Sequence, residues 1–202
     1  MSFDKNLYEV IRSAIPKELA TNLDIEFDLT KKLKFAKNPE TPNNKYMFGD
    51  ELVEKSFSLY APICFEALSL QLLPLMEAKT GKSLYPTYSY ARTYYNGATM
   101  QKHKDRPSCE YSISICISVD PEPWSIWFED LEGNELAVDL EPGDLIIYKG
   151  DILNHWRNEY IGKRQTQAFL HYVDRRGKYQ TYKMDGRSHY GLPKDVRIGY
   201  VD

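Results

Sequence analysis

The sequence predicts a mainly β domain, organised as a β-sandwich or barrel. Helices and loops precede it in the chain. Six short segments after Gly81 are rich in Tyr, Ile, Val, Thr and aromatic residues, and Gly, Pro, Asn or Asp separate them. One of these segments alternates apolar with small polar residues, and a helical pattern precedes the first of them. At 202 residues the chain is long enough to bury the core of one domain without disulfide staples.

The six predicted strand segments are SYARTYY, EYSISICISV, WSIWFED, NELAVDL, DLIIYKG and QTQAFLHYV. The second gives the strongest prediction, because Tyr, Ile or Val occupies every other position from Tyr111 to Val119 and Ser or Cys fills the positions between. A period of two is typical of a strand with one buried face. The turn from Glu141 to Asp144 is predicted to join two of the strands.

The N-terminal part of the chain has a different pattern. Residues 1 to about 35 predict a helix, a turn at Ile15-Pro16 and a short strand, and residues 36–50 predict an irregular loop. From residue 61 to residue 79 the spacing is helical, with Pro74 predicting a kink and Gly81 a C-terminal stop.

We therefore expect a single domain over residues 1–202. Within it, residues 1–83 form a helical and loop support region, residues 84–175 form the β core, and residues 176–202 form a C-terminal extension.

Charge and cysteine content exclude several classes of protein. The 26 Lys and Arg against 29 Asp and Glu give a net charge of −3, which provides no global basic field for nucleic acid or an anionic membrane. Cys64, Cys109 and Cys116 are odd in number and have no C-x-x-C spacing, which argues against a disulfide framework and a zinc knuckle. With charges near the N-terminus and no long apolar run, we expect a cytoplasmic protein with no membrane partner.

Three residues form a candidate metal site. His103 and Asp105 make the single His-x-Asp of the chain, and residues two apart on an extended segment point to the same side. His155 stands fifty residues after Asp105, at the start of another short segment. Two histidines and one carboxylate can bind Fe(II) on one face and leave positions open for further ligands. His171 and His189 are not expected to be ligands.

A basic residue follows the second histidine. Arg164 stands nine residues after His155, and Thr166 follows it on the same predicted strand. A guanidinium beside a hydroxyl on one strand face is suited to hold a carboxylate, since its donors are planar and always charged. Lys163 and Arg157 compete with Arg164 for this role.

Arg92 is the reserve candidate for the same role. It shares a strand face with Tyr90 and Tyr94, so all three side chains can point into a barrel.

The order of these motifs resembles the 2-oxoglutarate and iron(II)-dependent dioxygenases, in particular their prolyl 4-hydroxylase-like branch. The motifs are, in chain order, Tyr94, Gly97, His103-x-Asp105, Pro142-Gly143-Asp144, His155 and Arg164-x-Thr166. They span roughly residues 88–173, which is less than half of the chain. The fold that the resemblance implies is a double-stranded β-helix, a jelly-roll or cupin-like barrel, which agrees with the strand spacing.

The resemblance also implies residue roles. It makes His103, Asp105 and His155 the catalytic iron ligands, and it assigns the distal carboxylate of 2-oxoglutarate to Arg164, with Thr166 and Tyr94 beside it; Arg92 or Lys163 stays open as the cation.

The implied reaction hydroxylates an unactivated C–H bond while 2-oxoglutarate and O2 become succinate and CO2. Its cofactor is Fe(II), with 2-oxoglutarate and O2 as co-substrates and ascorbate as an optional addition. Because Asp105 supplies the carboxylate ligand that related halogenases lack, hydroxylation is favoured over halogenation. The substrate is left open between peptidyl-proline, another peptide side chain and a free small molecule.

Two other classes remain. A cupin-like metal-binding module or isomerase would use the same barrel without 2-oxoglutarate, and a basic residue placed for a distal carboxylate argues against it. A non-catalytic β-sandwich would hold its histidines for structural reasons and would consume no oxygen.

Overall fold

The computed structural model describes residues 3–37, 53–121 and 123–192. Within them, three α-helices are α1 (Phe3–Asn6), α2 (Lys17–Lys37) and α3 (Ile63–Thr80). The ten strands are β1 (Tyr8–Ile11), β2 (Ser56–Tyr60), β3 (Leu84–Tyr95), β4 (Met100–His103), β5 (Tyr111–Asp120), β6 (Ile126–Glu129), β7 (Glu135–Val138), β8 (Leu145–Tyr148), β9 (His155–Arg157) and β10 (Arg164–Asp174). Two 3₁₀ segments cover Pro107–Cys109 and Gln180–Gly186.

The strands form two antiparallel sheets that face each other. The large sheet has the order β1-β8-β5-β10-β3-β2, and the small sheet has the order β4-β9-β6-β7. Cys116 and Tyr148 of the large sheet share a buried cluster with Ile126 and Phe128 of the small sheet. This arrangement confirms the predicted mainly β jelly-roll with flanking helices.

The helices cover the outer face of the large sheet. Phe27 of α2 and Phe65 of α3 pack in one buried cluster with Ile115 of β5 and Leu170 of β10. The large sheet therefore has an outer face that holds most of the apolar core and an inner face that is turned towards the small sheet.

The N-terminal strand lies elsewhere than predicted. The segment KELATNLDIEFDL is helical, within α2, because Ala20, Leu23 and Phe27 recur at helical spacing and bury one side of the helix. The short strand is instead β1, which pairs with β8 at the edge of the large sheet. From residue 38 onward, the predicted loop over residues 36–50 lies outside the described residues.

The predicted helix before the first long strand is confirmed as α3. Gly81 ends it with a φ of 64°, and its N–H donates to the Glu77 carbonyl at 2.9 Å. The helix is one element from Ile63 to Thr80 that includes Pro74, and the predicted kink there stays a prediction. None of the helices in the described part of the chain is long and apolar enough to cross a membrane.

The alternation in β5 is confirmed, but its polar face does not meet solvent. Ile113 and Ile115 pack under the helices, as predicted. Ser112, Ser114 and Cys116 are also buried, because the small sheet covers the inner face of the strand. A segment that looks half-buried in sequence therefore lies between two layers.

The chain on both sides of the β core contributes to it. β2 extends the large sheet beside β3, and the 3₁₀ segment Gln180–Gly186 contacts β3. Asp185 in that segment accepts hydrogen bonds from Tyr60 at 2.7 Å and from Arg106 at 3.1 Å. The predicted limits of the support region and the C-terminal extension stay a prediction.

Candidate metal centre and its cavity

Two strands of the small sheet bring the candidate histidines together. β4 ends at His103 and β9 begins at His155, and the antiparallel register places these residues directly opposite each other. Their ring centroids lie 4.3 Å apart. Fifty-two positions of sequence therefore separate two imidazoles that are cross-strand neighbours.

Asp105 completes the group. Its Oδ1 lies 3.8 Å from His103 Nε2 and 3.6 Å from His155 Nε2. One potential ligand atom from each of the three residues lies within 4.8 Å of the other two. The structure thus brings the three predicted iron ligands to one point, and their binding of iron stays a prediction.

Backbone carbonyls fix the orientation of both rings. His103 Nδ1 lies 2.8 Å from the Gln101 carbonyl, and His155 Nδ1 lies 3.1 Å from the Leu153 carbonyl. Since a carbonyl only accepts hydrogen bonds, Nδ1 carries a proton in each ring, and Nε2 is the nitrogen that faces Asp105. Both histidines are therefore set in the tautomer that ligates a metal through Nε2.

The loop around Asp105 is held by three contacts. Its N–H donates to the Gly150 carbonyl at 2.8 Å, and Ser112 Oγ donates to its Oδ2 at 3.2 Å. A Cβ added at Gly150 would overlap Oδ2, so glycine leaves the space that the carboxylate occupies. With Oδ2 held in this way, Oδ1 points at the two imidazoles.

Burial keeps His155 neutral. The residue is 3% exposed, and this burial lowers its pKa; the carboxylate of Asp105 acts in the opposite direction and His103 adds to the lowering. A neutral imidazole is the form that binds a metal.

His103, Asp105 and His155 lie at the wall of a cavity of about 250 Å³ between the two sheets. Aromatic and apolar side chains dominate its wall, and Arg92 and His171 add polar groups to those of the three candidate ligands. The lining residues are Val53, Tyr88, Tyr90, Arg92, Tyr94, Met100, His103, Asp105, Tyr148, His155, Phe169 and His171. A mostly apolar cavity with convergent polar groups is typical of a small-molecule site.

The four residues predicted to hold the distal carboxylate of 2-oxoglutarate lie in two different places, two in each. Arg92 and Tyr94 line the cavity. Arg164 and Thr166 lie on the outer face of the large sheet, where Arg164 donates to both oxygens of Asp24 on α2 at 2.7 Å and Thr166 pairs with the Thr93 hydroxyl at 3.0 Å. The structure therefore does not bring Arg164 or Thr166 to the cavity.

The alternation of side chains along β10 is the physical reason why Arg164 and Thr166 do not reach the cavity. Thr166 and Ala168 of β10 face the helices, whereas Phe169 and His171 face the cavity. In β10 both faces are buried, and the more polar face, with Gln165, Gln167 and His171, is the inner one, so polarity does not mark which side is exposed.

His171 is a site residue that sequence reasoning missed. It lies opposite Thr166, as expected, but that face is the one that lines the cavity. Its Nδ1 lies 2.9 Å from Ser112 Oγ, and burial lowers its pKa to about 4. His171 could also form a group of three with Asp105 and Cys109. Burial raises the pKa of the Cys109 thiol to about 12, so the thiol is protonated in the metal-free protein.

Arg157 is a further buried cation close to the cavity. It follows His155 by two residues on β9, is 2% exposed, and has its guanidinium carbon 5.0 Å from the Trp124 ring and 6.0 Å from the Tyr94 ring. Burial lowers its pKa. Its Nε and Nη2 have no hydrogen-bond partner among the described residues, and each such buried donor costs about 1–3 kcal/mol.

Comparison by sequence identifies no relative: no family model and no curated protein matches the chain. Comparison by structure finds solved proteins with a similar fold. The prolyl-4-hydroxylase of Pseudomonas putida has a TM-score of 0.62 and 14% identity, over 87% of this chain and 96% of that one.

Two further solved structures are similar. HygX from Streptomyces hygroscopicus, solved with nickel and 2-oxoglutarate bound, has a TM-score of 0.64 and 12% identity, over 85% of this chain and 84% of that one. The epimerase SnoN, solved with Fe3+, alpha ketoglutarate and nogalamycin RO, has a TM-score of 0.65 and 11% identity, over 85% and 80%. At these identities the comparison concerns the fold: the chain has the jelly-roll fold of the 2-oxoglutarate and iron-dependent oxygenases.

Proposed function

We propose that this protein is a non-haem Fe(II) and 2-oxoglutarate-dependent dioxygenase. The observation that carries the proposal is the convergence of His103, Asp105 and His155 at the wall of a cavity between two sheets. Two neutral imidazoles and one carboxylate are the donor set of the facial triad, which selects Fe(II) and leaves open positions on one side. Here that side faces the cavity.

The residues present fit the metal in their chemistry as well as in number. Nε2 of both rings faces Asp105 Oδ1, while the backbone and Ser112 hold the remaining polar atoms of these side chains. Asp105 Oδ1 lies 3.8 Å from His103 Nε2 and 3.6 Å from His155 Nε2. A divalent cation would satisfy all three.

The cavity supplies conditions that suit such a reaction. When bound there, Fe(II) with 2-oxoglutarate would supply the activation of O2. Tyr148 and Phe128 pack their rings against His155 and fix its plane, at centroid distances of 5.0 and 5.8 Å. The aromatic wall gives the reacting groups surroundings that are less polar than bulk water. Tyr148 is completely buried, and burial raises the pKa of its hydroxyl well above the usual value, so it would act as a neutral hydrogen-bond donor.

The finer proposal is a hydroxylase acting on an unactivated C–H bond. The presence of Asp105 supports it, because a carboxylate in this position leaves no place for a halide ligand. The substrate would be peptidyl-proline, another peptide side chain or a free small molecule; the fold also carries an epimerase, so the reaction type needs a direct test. Ascorbate would act as an added reductant, and neither a membrane nor nucleic acid is proposed as a partner.

The experiment measures succinate. Protein purified without oxygen is loaded with Fe(II), mixed with 2-oxoglutarate, with and without ascorbate, and exposed to O2. We expect slow succinate formation in the wild type and a loss of at least about 100-fold in His103→Ala, since a ligand to the metal is removed. His189→Ala, in an exposed position of the C-terminal segment, is the matched control and should keep wild-type turnover.

The outcomes separate the alternatives. Equal turnover in His103→Ala and the wild type would refute the ligand assignment. Tight metal binding without any succinate would favour the cupin-like module or isomerase. If succinate forms, proline-containing peptides and free amino acids are tested as substrates, and mass spectrometry measures the gain of one oxygen atom. If no proline-containing peptide gains oxygen, the proposal of a prolyl substrate is refuted.

A further inference from the structure

The inference concerns the buried guanidinium of Arg157. On β9 its side chain shares a face with His155, because residues two apart on a strand point the same way. Their Cα atoms are separated by roughly 7 Å along such a strand. Arg157 therefore lies one inward position beyond a candidate metal ligand, in the layer between the two sheets.

The cation has no acidic partner in the part of the chain that the structure describes. Its Nη1 donates to the Trp124 carbonyl, while Nε and Nη2 have no acceptor there. Buried guanidinium groups in proteins are normally paired with a carboxylate or phosphate, because an uncompensated charge is strongly unfavourable in a dry interior. The position of Arg157 therefore indicates a binding site for an anion that a ligand supplies.

A second unpartnered donor lies in the same layer. Gln167 Nε2 is buried and has no hydrogen-bond partner within the described ranges. Gln167 is paired with Cys116 of β5, and its Oε1 accepts a hydrogen bond from Ser114 of the same strand at 3.4 Å. Gln165, the previous inward residue of β10, donates to the same Trp124 carbonyl as Arg157 does.

The unmatched groups are all donors. Two nitrogens of Arg157 and one of Gln167 lack acceptors, so the complementary ligand must supply acceptors and a negative charge. A carboxylate has both, and its planar pair of oxygens matches the guanidinium fork.

We propose that Arg157, assisted by Gln167, binds the distal carboxylate of 2-oxoglutarate. The proposal rests on the proposed function, in which the keto acid end of the same molecule binds the metal beside His155. It replaces Arg164, whose guanidinium is paired with Asp24 on the outer face of the large sheet.

Arg157 is preferred to Arg92 because the guanidinium of Arg92 already donates to the Val53 carbonyl, to Ser56 and to Tyr90. In this protein the cation thus comes from the strand of the second histidine and not from the strand after it.

The test measures binding in the absence of O2, so that no turnover is needed. Fe(II)-loaded protein is titrated by calorimetry with 2-oxoglutarate and with 2-oxobutyrate, which keeps the keto acid and has a methyl group in place of the distal carboxylate. We expect the wild type to bind 2-oxoglutarate more tightly. Arg157→Gln should weaken 2-oxoglutarate by about 10- to 100-fold, the range for charge-assisted hydrogen bonds, and leave 2-oxobutyrate unchanged.

Further variants make the result specific. Arg157→Lys keeps the charge without the fork and should fall between the wild type and Arg157→Gln; it also serves if Arg157→Gln does not fold. Gln167→Leu should weaken 2-oxoglutarate by about 2- to 10-fold. Arg164→Gln is the control and should retain wild-type affinity for both acids.

Each remaining outcome decides the matter. Unchanged 2-oxoglutarate affinity in Arg157→Gln and Arg157→Lys would overturn the inference and leave the proposed function standing. Parallel losses for both acids in a metal-loaded variant would also overturn it, because they indicate a structural role. If the Fe(II)-loaded wild type binds neither acid, the proposed function itself fails.

Discussion

Gly150 and Asp105 lie in direct contact. The Gly150 carbonyl accepts the Asp105 N–H at 2.8 Å, and the missing side chain of Gly150 leaves the space that Asp105 Oδ2 fills. The glycine belongs to the turn after β8, and its φ lies outside the left-handed region. Its requirement is therefore one of space and not of backbone conformation.

Gly150→Ala should weaken metal binding by about 10- to 100-fold, because the added methyl group displaces the Asp105 carboxylate. Fe(II) or Ni(II) titration under anaerobic conditions measures the effect. Gly133→Ala is the control, since a Cβ there meets no atom within 4 Å and the cost of its positive φ affects stability alone. Equal metal affinities in the two variants would contradict the role given to Gly150.

Arg164→Gln should act on stability and not on the site. Its two hydrogen bonds to Asp24, both 2.7 Å, fasten α2 to the large sheet, although the pair is partly exposed. We expect a loss of about 1 kcal/mol in the free energy of unfolding, measured with urea. A double-mutant cycle with Asp24→Asn should show that the two losses are not additive. A fall in 2-oxoglutarate affinity in Arg164→Gln would restore the role predicted from the sequence.

Asp144 should make stability depend on pH. Burial acts to raise its pKa, but hydrogen bonds from Arg12 and from the N–H groups of Ser13 and Glu141 lower it below the usual value. Because the native pKa is below the unfolded value of about 3.9, the stabilisation is complete above about pH 4 and is lost as the pH falls through the native value.

Asp144→Asn should therefore lower the free energy of unfolding by about 1–3 kcal/mol at pH 7, and the difference from the wild type should shrink in more acidic buffer. Urea denaturation at a series of pH values measures it. Asp4→Asn, in an exposed position of α1, should follow the wild type throughout. A difference that stays constant with pH would mean that the carboxylate charge is not the stabilising feature.

His171→Asn should keep the metal. The His171 ring bonds to Ser112 and lies beside Asp105 and Cys109, but His171 is not one of the three residues of the triad. We expect metal affinity within about 10-fold of the wild type, as for a residue that supports a ligand. His103→Asn, measured beside it by the same titration, should lose the metal. If His171→Asn also loses it, His171 is a ligand and the assignment of three ligands is incomplete.

Much of the fold follows from local patterns in the sequence. The alternation over β5 and the glycine after α3 each predict an element through a local cause, namely side-chain periodicity and a left-handed backbone. The strand that was wrongly predicted in the N-terminal region has the same kind of cause. Leu23 and Phe27 fit the apolar stripe of a helix, but the short stretch LDIEFDL also fits the pattern of a strand.

The sequence by itself predicted a facial triad, from the order of His103, Asp105 and His155. The tertiary structure decided that the three side chains meet at one cavity and that Arg164 does not reach it. Alternation specifies two faces of a strand but not which one is inner, and in β10 both faces are buried, so only the packing of α2 against the large sheet turns Arg164 outward. In the described part of the chain, two buried guanidinium groups remain at the cavity: Arg92 on its wall, and Arg157, two residues from His155, beside it.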